Sequence, residues 1–295
     1  MKNQRSSIIN LPSFIFQVYE IDNINFIQKL FVILIGKLSQ FIIKNLDNNL
    51  FCIGLNILFQ TKSKIYFDKQ DNSFEKKITK ELKICYPNKR ILRVIQREPS
   101  IIFDKLFDTY CLDKIDFQNG DTIIDCGANV GELNYSFFFK KLDIKYFGIE
   151  PEIETFNCLQ KNKIRSSDKF YNLALSNKKG NFKFYLDSVG GNSSLEYFGK
   201  DEHAVVKTNT LDSLDLSNNI KLLKIEAEGH EPEILEAAKE TLKVTKYISV
   251  DFGYERGIEQ SSTVNKVNEI LNEMSFELIE LSEYRLVGLY KNNKL

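Results

Sequence analysis

The sequence contains few residues of the kinds that build metal centres and disulfide frameworks. Its 295 residues include five cysteines, an odd number, and no two of them stand in a Cys-x-x-Cys spacing. A zinc site or a disulfide framework is therefore not expected, and reduced thiols favour a cytoplasmic protein. The basic first residues lack an adjacent apolar core with a small-residue cleavage site, so no signal peptide is expected either.

The chain also lacks a net charge, but its charges are unevenly distributed. Overall, 40 Lys and Arg balance 40 Asp and Glu. Residues 1–100 hold 16 basic and 8 acidic residues, a net charge of +8, and the remainder carries −8. A basic N-terminal part can contact a membrane surface, nucleic acid or an acidic glycan, or it can be a solvated face. We expect no nucleic-acid partner, and a peripheral membrane contact stays open.

An apolar stretch at 26–43 dominates the N-terminal part. Lys29 and Lys37 interrupt it, and a spanning helix needs about 20 mostly uncharged residues, so it is marginal as a span. A helix packed on protein is favoured over an interfacial membrane helix and over a span. We predict a mainly helical, basic and apolar extension over 1–97 and a catalytic domain over 98–295. Within the extension, the lysine-rich stretch 62–83 is expected to be exposed helix or loop.

From residue 123 onward, short apolar strands alternate with helical segments. Such alternation predicts an α/β fold with a mostly parallel sheet and helices on both faces. Strands are expected at 123–126, 146–149, 170–175, 222–227 and 247–251, helices at 132–142, 153–164, 231–239 and 263–274, an insert with extended segments at 181–186 and 205–208, and a closing pair at 276–281 and 286–290.

The first of these strands leads into a glycine loop, Asp125-Cys126-Gly127-Ala128-Asn129-Val130-Gly131. A buried strand followed by a tight glycine turn into a helix is typical of nucleotide pockets in open α/β sheets. Asn129 replaces the middle glycine of a dinucleotide fingerprint, and Asp125 would repel a diphosphate but suits a cationic ligand. Glu150, after the second strand, can accept two hydrogen bonds from a ribose diol. The pattern favours S-adenosylmethionine over NAD.

Three downstream segments resemble the FkbM-type methyltransferases. They are Leu-Lys-Ile-Glu-Ala-Glu-Gly-His-Glu-Pro-Glu-Ile-Leu at 223–235, Thr-Leu-Asp-Ser-Leu at 210–214 and Val-Asp-Phe-Gly-Tyr-Glu-Arg-Gly at 250–257. The resemblance implies a class I methyltransferase (Rossmann-like) fold, with a seven-stranded sheet that has one reversed strand. It also implies O-methylation, often of sugars or polyketide-type products. Family members commonly carry Asp where this chain has Glu226, which keeps the charge but moves the carboxylate by one carbon–carbon bond.

The expected site lies at the carboxyl ends of the strands, where ligands bind in such sheets. Asp125, Gly127, Asn129 and Gly131 are expected to hold the amino-acid end of the cofactor, Glu150 the ribose, and Asn172, Ala174 and Leu175 the adenine; Glu226, Glu228 and His230 are candidate catalytic residues; Ser193, Ser194, Asp251, Tyr254 and Arg256 are candidate acceptor contacts. His230 is either a proton acceptor at neutral pH or a local helix-start residue. The turn at 190–194 either contacts the acceptor or is a plain hairpin turn.

The sequence thus predicts an S-adenosylmethionine-dependent O-methyltransferase that acts on a sugar hydroxyl of a glycan or glycoconjugate. The departure at Glu226 motivates a second hypothesis, a methyltransferase-fold protein that binds partners without catalysis. A methyltransferase for a non-sugar small molecule is a third, and the loop disfavours an NAD-linked oxidoreductase. The carboxylates permit a divalent metal ion, but no ligand spacing demands one, so no metal residue is predicted.

Overall fold

A computed structural model describes residues 11–12, 14–15, 25–60, 64–95, 99–187, 193–214 and 216–295. The chain divides into two compact units, Met1–Ile102 and Phe103–Leu295. The predicted boundary between residues 97 and 98 lies outside the described residues and stays a prediction.

The described part of the first unit includes two long helices and a small sheet. The helices are α1 (Phe26–Asn45) and α2 (Asn48–Phe59), and the antiparallel strands are β1 (Ile65–Asp68), β2 (Ser73–Lys77) and β3 (Lys83–Tyr86), followed by a 3₁₀ helix (Lys89–Val94). Helix α1 begins with a capping box, in which the side chains and backbone N–H groups of Asn25 and Gln28 bond reciprocally. It is also long and apolar enough to cross a membrane, by length and composition.

The expectation of exposed helix or loop at 62–83 is wrong for the residues described there. Strands β1 and β2 pair with Phe67 opposite Phe74, and the ring of Phe74 packs edge-on against Phe51 of α2 at 5.4 Å. Ile65, Phe74 and Ile84 are buried in this unit. The alternating lysines and acids of the segment concealed an apolar face, because in a strand only every second side chain must be buried.

The second unit contains the predicted α/β sheet. Helix α3 (Pro99–Thr109) contains the boundary between the units. The other helices of the second unit are α4 (Glu132–Phe139), α5 (Ile153–Lys161), α6 (Glu231–Glu236), α7 (Lys239–Lys243) and α8 (Val264–Glu273). Its strands are β4 (Thr122–Cys126), β5 (Lys145–Ile149), β6 (Lys169–Tyr171), β7 (Ala174–Leu175), β8 (Gly180–Tyr185), β9 (His203–Asn209), β10 (Ile220–Ile225), β11 (Thr245–Asp251), β12 (Tyr254–Arg256), β13 (Ser261–Ser262), β14 (Phe276–Leu281) and β15 (Val287–Asn292). A seven-stranded sheet has the order β14-β15-β11-β10-β4-β5-β6. Strand β15 runs antiparallel to both of its neighbours, while the other pairings are parallel. The expected mostly parallel sheet with one reversed strand is confirmed.

Helices cover both faces of this sheet. Alternate residues of each strand point to opposite faces and pack against different helices. On one face, Ile124 and Leu223 belong to a buried cluster with residues of α6, α7 and α8. On the other face, their neighbours Ile123 and Leu222 pack with Phe107 of α3 and with residues of α4. The carboxyl ends of the neighbouring parallel strands β4, β5, β10 and β11 lie at the same edge of a sheet that is packed on both faces.

Two predicted elements are each divided in two. The expected third strand at 170–175 ends at Tyr171, and Ala174–Leu175 joins a separate three-stranded sheet, β7-β9-β8. The chain turns at Asn172, whose amide donates to the carbonyls of Glu150 and Pro151, both at 3.0 Å.

The expected helix at 231–239 ends at Glu236, and α7 starts separately. Asp212 accepts the free N–H groups of Glu240 and Thr241 at 3.0 and 2.8 Å, so a distant side chain caps α7. The fourth parallel strand also ends earlier than predicted, at Ile225, which leaves Glu226 just past the strand.

Candidate functional site

The glycine loop after β4 is held between the ends of two neighbouring strands. The N–H groups of Gly127 and Ala128 both donate to the carbonyl of Ile149 at 3.0 Å. Gly127 has φ +74°. A Cβ atom on this residue would overlap the carbonyl oxygen of Glu226, because it would lie closer than the 3.0 Å that Cβ atoms keep from other heavy atoms. Gly131 (φ +87°) and Asn129 (φ +50°) also adopt the left-handed region. The loop therefore needs a glycine at 127 to pass this close to β10.

Glu150 lies beside this loop with its carboxylate oriented by backbone donors. One oxygen accepts the N–H of Asn129 at 2.9 Å and the other accepts the N–H of Glu152 at 3.0 Å. Burial raises the pKa of this carboxyl to about 7. A carboxylate offers about four lone-pair positions, so two remain for a ligand diol. These remaining acceptor positions fit the ribose role predicted for Glu150.

The residues expected around an adenine are only partly brought together. Asn172 is exposed and bonded to Glu150 and Pro151, next to the loop. Ala174 is buried with Phe184 and Val206 of the small sheet, and Leu175 is also buried. Contact of these side chains with an adenine stays a prediction.

Asp125 is closed off by two side chains that the sequence reasoning missed. Lys224 Nζ lies 2.9 Å from its Oδ1, and the hydroxyl of Tyr146 donates to its Oδ2. Burial opposes the charge on Lys224, but Asp125 and its other anionic neighbours outweigh this effect and hold the pKa of Lys224 well above its ordinary value. Asp125 is 1% exposed, so its charge is balanced within the protein, and direct contact with a cofactor stays a prediction.

Glu226 stands at the centre of a second group of charges, at the end of β10. Its carboxylate accepts a hydrogen bond from the hydroxyl of Tyr110, lies 3.2 Å from Lys224 Nζ and pairs with Arg285 at 2.8 Å. Burial opposes ionisation, but Lys224 and Arg285 outweigh it and hold the pKa of Glu226 well below its ordinary value. Glu226 is therefore an ionised, oriented carboxylate at neutral pH.

Arg285 extends this group across the sheet to the end of β11. It reaches in from the turn between β14 and β15 and pairs with Asp251 Oδ2 at 2.5 Å, while Glu255 lies 3.6 Å away. Burial and the charge of Glu226 raise the pKa of Asp251 to about 7.

Glu228 adopts φ +50°, and burial together with the charges of Glu226 and Glu255 raises the pKa of its carboxyl to about 10. Glu228 is thus a neutral hydrogen-bond donor at pH 7.

His230 belongs to a different set of contacts. Its Nδ1 lies 2.8 Å from Glu196 and its Nε2 lies 3.0 Å from the hydroxyl of Ser176, so both ring nitrogens have protein partners. Glu196, His230 and Glu233 could hold a metal ion, since their ligand atoms lie within 4.8 Å of one another. However, Arg256 donates to both oxygens of Glu233 at 2.6 and 2.9 Å, and a cation would have to displace it.

The five residues that the sequence predicts as acceptor contacts do not all lie in one group. Ser194 is buried and donates to the carbonyl of Glu228 at 2.9 Å, whereas Ser193 accepts the N–H of Asp187 at 2.9 Å. Arg256 pairs with Glu233, and Tyr254 is 70% exposed. Residues 190–192 of the expected turn lie outside the described residues. Only Asp251 of the five joins the Glu226 group directly.

Tyr110, Tyr146, Lys224 and Arg285 are the residues that sequence reasoning missed. Lys224 had a recognisable signal, because it is a lone charge inside the apolar run Leu222-Leu223-Lys224-Ile225 of a central strand. A charge in such a position must have a buried partner. The tyrosines and Arg285 carry no comparable local signal.

The comparisons with known proteins connect this site to one enzyme family. A family model described as the methyltransferase FkbM domain matches residues 125–278, more than half of the chain. The chain belongs to the FkbM methyltransferase family. The comparison with curated proteins gave no match.

Among solved structures, the chain is similar to three proteins at low identity. An S-adenosylmethionine-dependent methyltransferase from Aquifex aeolicus is 16% identical with a TM-score of 0.38, covering 65% of this chain and 97% of its own. A putative RNA methyltransferase from Pyrococcus horikoshii is 14% identical with a TM-score of 0.38, covering 72% and 94%. M. capricolum TrmK with bound S-adenosyl-homocysteine is 12% identical with a TM-score of 0.37, covering 64% and 68%. The family assignment rests on the family model.

As an FkbM methyltransferase, the protein is an enzyme that uses S-adenosylmethionine, and its sheet is the class I methyltransferase sheet. The residues present fit that cofactor. The glycine loop and the Glu150 carboxylate adjoin at the ends of β4 and β5, and the ionised Glu226 lies against the same loop through the contact at Gly127.

Proposed function

We propose that the protein transfers a methyl group from S-adenosylmethionine to a sugar hydroxyl of a glycan or glycoconjugate. The observation that carries the proposal is the network Glu226–Arg285–Asp251, which joins the ends of β10 and β11 beside the glycine loop. Carboxylates and a guanidinium together supply the acceptors and donors that a polyhydroxylated ring requires. The exposed ring of Tyr254, at the start of β12, offers an aromatic face for the sugar.

The bound cofactor supplies a methyl group on a sulfonium sulfur. On the cofactor side, Glu150 accepts the ribose hydroxyls, while Gly127, Asn129 and Gly131 shape the backbone around the amino-acid end. Holding donor and acceptor in line converts a bimolecular displacement into an effectively unimolecular one, which is the main contribution of such a site.

On the acceptor side, Glu226 accepts the hydrogen bond of the attacking hydroxyl and so orients the oxygen. Bound S-adenosylmethionine would supply the methyl group, and the proton of the attacking hydroxyl would pass to the two carboxylates that Arg285 joins, Glu226 and Asp251. Asp251, with a pKa of about 7, is matched to holding a proton at neutral pH. Glu228 donates a hydrogen bond, and His230, whose ring nitrogens are both engaged, orients the segment between β10 and α6.

A methyl-label transfer assay tests this proposal. Labelled S-adenosylmethionine is incubated with glycan extracts of the host, and the labelled product is identified by mass spectrometry. We expect a methylated sugar, and we expect Arg285→Met to lower the rate at least 100-fold while the affinity for S-adenosylhomocysteine changes less than fivefold. The control Lys114→Met removes an exposed cation that pairs with Asp113 and Glu280, and it should leave the rate unchanged.

Two results would contradict the sugar proposal. Label that enters a small molecule without a sugar would favour the non-sugar methyltransferase. Tight binding of S-adenosylhomocysteine without release of that product from any extract would favour a protein that binds partners without turnover.

We also propose that the protein works at the cytoplasmic surface of a membrane and binds it through α1. The helix packs on its own unit through Val32, Ile35, Gly36 and Ser39, which are buried. Its opposite face exposes a stripe at helical spacing, and these side chains are 44–77% exposed: Ile27, Leu30, Phe31, Leu34, Leu38 and Phe41. Soluble proteins seldom expose an apolar stripe of this length without a partner.

The charges beside the stripe favour an anionic lipid surface as that partner. Lys37 and Lys44 follow one edge of the stripe, and the N-terminal part of the sequence is basic. An apolar face bordered by lysines is typical of a helix that lies in the membrane interface. One face of α1 already packs on protein, which favours an interfacial position over a span.

Vesicle flotation tests the membrane proposal. We expect binding to vesicles that contain anionic phospholipid and weaker binding to neutral vesicles. The triple variant Leu34→Gln, Leu38→Gln, Phe41→Gln should lose binding at least tenfold, since each buried large apolar side chain contributes about 1.5–3 kcal/mol. The control Val205→Gln changes an exposed apolar residue of the second unit. Equal binding by the triple variant and the control would refute the proposal.

A further inference from the structure

Lys224 is a buried lysine at the centre of the sheet, between the cofactor side and the acceptor side of the site. Its side chain is 3% exposed, and its Nζ lies 2.9 Å from Asp125 Oδ1 and 3.2 Å from Glu226 Oε2. The same Nζ donates to the carbonyl oxygens of Gly127 at 2.9 Å and Cys126 at 3.3 Å. One ammonium group thus contacts the strand end, the start of the glycine loop and the acceptor-side carboxylate.

The sheet itself places Lys224 in this position. Lys224 and Asp125 are directly opposite each other in the parallel pairing of β10 with β4. Both point to the face covered by α3 and α4, where the ring of Tyr110 lies 5.2 Å from Nζ. The lysine stem is therefore fixed by packing, and the ammonium has little freedom to choose other partners.

We infer that Lys224 is a positioning residue that couples the glycine loop to Glu226. It fixes the two carbonyl oxygens where the loop begins, and the same charge lies within hydrogen-bond distance of Asp125 and Glu226 and favours the ionised form of both, against the burial that raises the pKa of Asp125. The loop geometry that receives the cofactor thus depends on the same ammonium that orients the acceptor-side carboxylate. The inference rests on the use of S-adenosylmethionine, not on the identity of the acceptor.

Removal of the ammonium charge would change how the surrounding groups titrate. The buried Asp125 and the half-buried Glu226 would remain, with Arg285 as the remaining cation on Glu226 and the hydroxyls of Tyr146 and Tyr110 as hydrogen-bond partners. Two such carboxylates do not both stay charged when their shared cation is lost, so one takes up a proton in the neutral range. The loop would then become sensitive to pH.

The test compares Lys224→Met and Lys224→Gln with the control Lys221→Met. Lys221 lies on the same strand but pairs with Asp121 at 3.8 Å, away from the loop. Calorimetry measures the affinity for S-adenosylhomocysteine from pH 6 to pH 9, and thermal unfolding of the ligand-free protein is followed over the same range. Neither readout requires an acceptor, so failure of the sugar proposal leaves this test intact.

We expect Lys224→Met to weaken S-adenosylhomocysteine at least tenfold, with an affinity that falls further as the pH is lowered. Lys224→Gln should lose less, because its amide still donates to the carbonyl of Gly127, but it should show the same dependence on pH. The wild type and Lys221→Met should show only the smaller change near pH 7 that the titration of Glu150 produces. Wild-type affinity within twofold in Lys224→Met, or a loss whose pH dependence matches that of the wild type, overturns the inference. Failure of both Lys224 variants to fold while Lys221→Met folds also overturns it, since the lysine would then be purely structural.

Discussion

Gly127 provides a sharp test of the site geometry, because a second glycine in the same unit serves as its control. Gly127 and Gly120 both have positive φ, +74° and +90°. An alanine Cβ at 127 would be forced against the carbonyl oxygen of Glu226, whereas a Cβ at 120 would meet no atom within 4 Å. The two Gly→Ala substitutions therefore differ only in the steric contact.

The magnitude follows from this difference. The left-handed conformation costs an alanine about 1–2 kcal/mol at either position, and alanine gains about 0.4–1 kcal/mol through the unfolded chain in both variants. The contact with Glu226 adds an overpacking cost of about 1–3 kcal/mol at position 127 only. Gly127→Ala should therefore be less stable than Gly120→Ala by about 1–3 kcal/mol, which lowers Tm by about 2–4 °C for each kcal/mol.

Urea unfolding followed by circular dichroism measures the stability difference, and calorimetry with S-adenosylhomocysteine measures the consequence for the loop. We expect Gly120→Ala to bind the ligand like the wild type and Gly127→Ala to bind at least tenfold more weakly, because the loop must shift away from β10. Equal stability and equal affinity in the two variants would refute the close approach of the loop to Glu226.

Two further predictions concern buried carboxylates. The pKa of Glu150 rises from 4.5 in the unfolded chain to about 7 in the folded protein, so its contribution to the free energy of unfolding is complete below pH 4.5 and is lost as the pH rises to 7. Glu150→Gln should remove about 3 kcal/mol of that pH-dependent loss in thermal unfolding. The same variant should bind S-adenosylhomocysteine more weakly above pH 7, and parallel stability curves of variant and wild type would contradict the prediction. Glu231 accepts the N–H groups of Ala227 and Gly229 at 3.0 Å and the hydroxyl of Thr263 at 3.0 Å. Glu231→Ala should lower the free energy of unfolding by about 2–4 kcal/mol through unpaired buried donors, while Glu231→Gln should cost under about 1 kcal/mol; similar losses in urea unfolding would argue against these bonds.

The parallel sheet could be predicted because its strands are apolar on both faces and alternate with helices. The glycine loop and Glu150 could be predicted because their chemistry follows directly from strand ends. The division of the third strand could not, since Asn172 turns the chain through bonds to carbonyl groups about twenty residues away. In the first unit, β2 alternates charged and apolar residues, and nothing local distinguishes Phe74 in a strand from an aromatic residue in an exposed loop.

The charge network of the site was hidden for a related reason. A sequence states that Lys224 carries a charge in an apolar strand, but the identity of its partner depends on which strands are neighbours and in which register they pair. The order of β10 beside β4 places Asp125 opposite Lys224. Arg285 depends in addition on the reversed strand β15, which brings the turn after β14 to the carboxyl edge. These partners are properties of the topology, and a one-residue shift in register would separate them.

The division of the predicted catalytic residues into two groups bears on the departure from the family at Glu226. His230 is paired with Glu196 and Ser176, so a proton-transfer role would require it to leave both partners. Glu226, in contrast, is held by Lys224, Arg285 and Tyr110, and remains charged although burial opposes it. An apolar residue at position 226 would leave Lys224 and Arg285 with one carboxylate fewer in the protein interior, which would cost several kcal/mol. The longer side chain of Glu226 thus places an ionised carboxylate between Lys224 and Arg285, and the departure from Asp keeps both the charge and its partners in the protein.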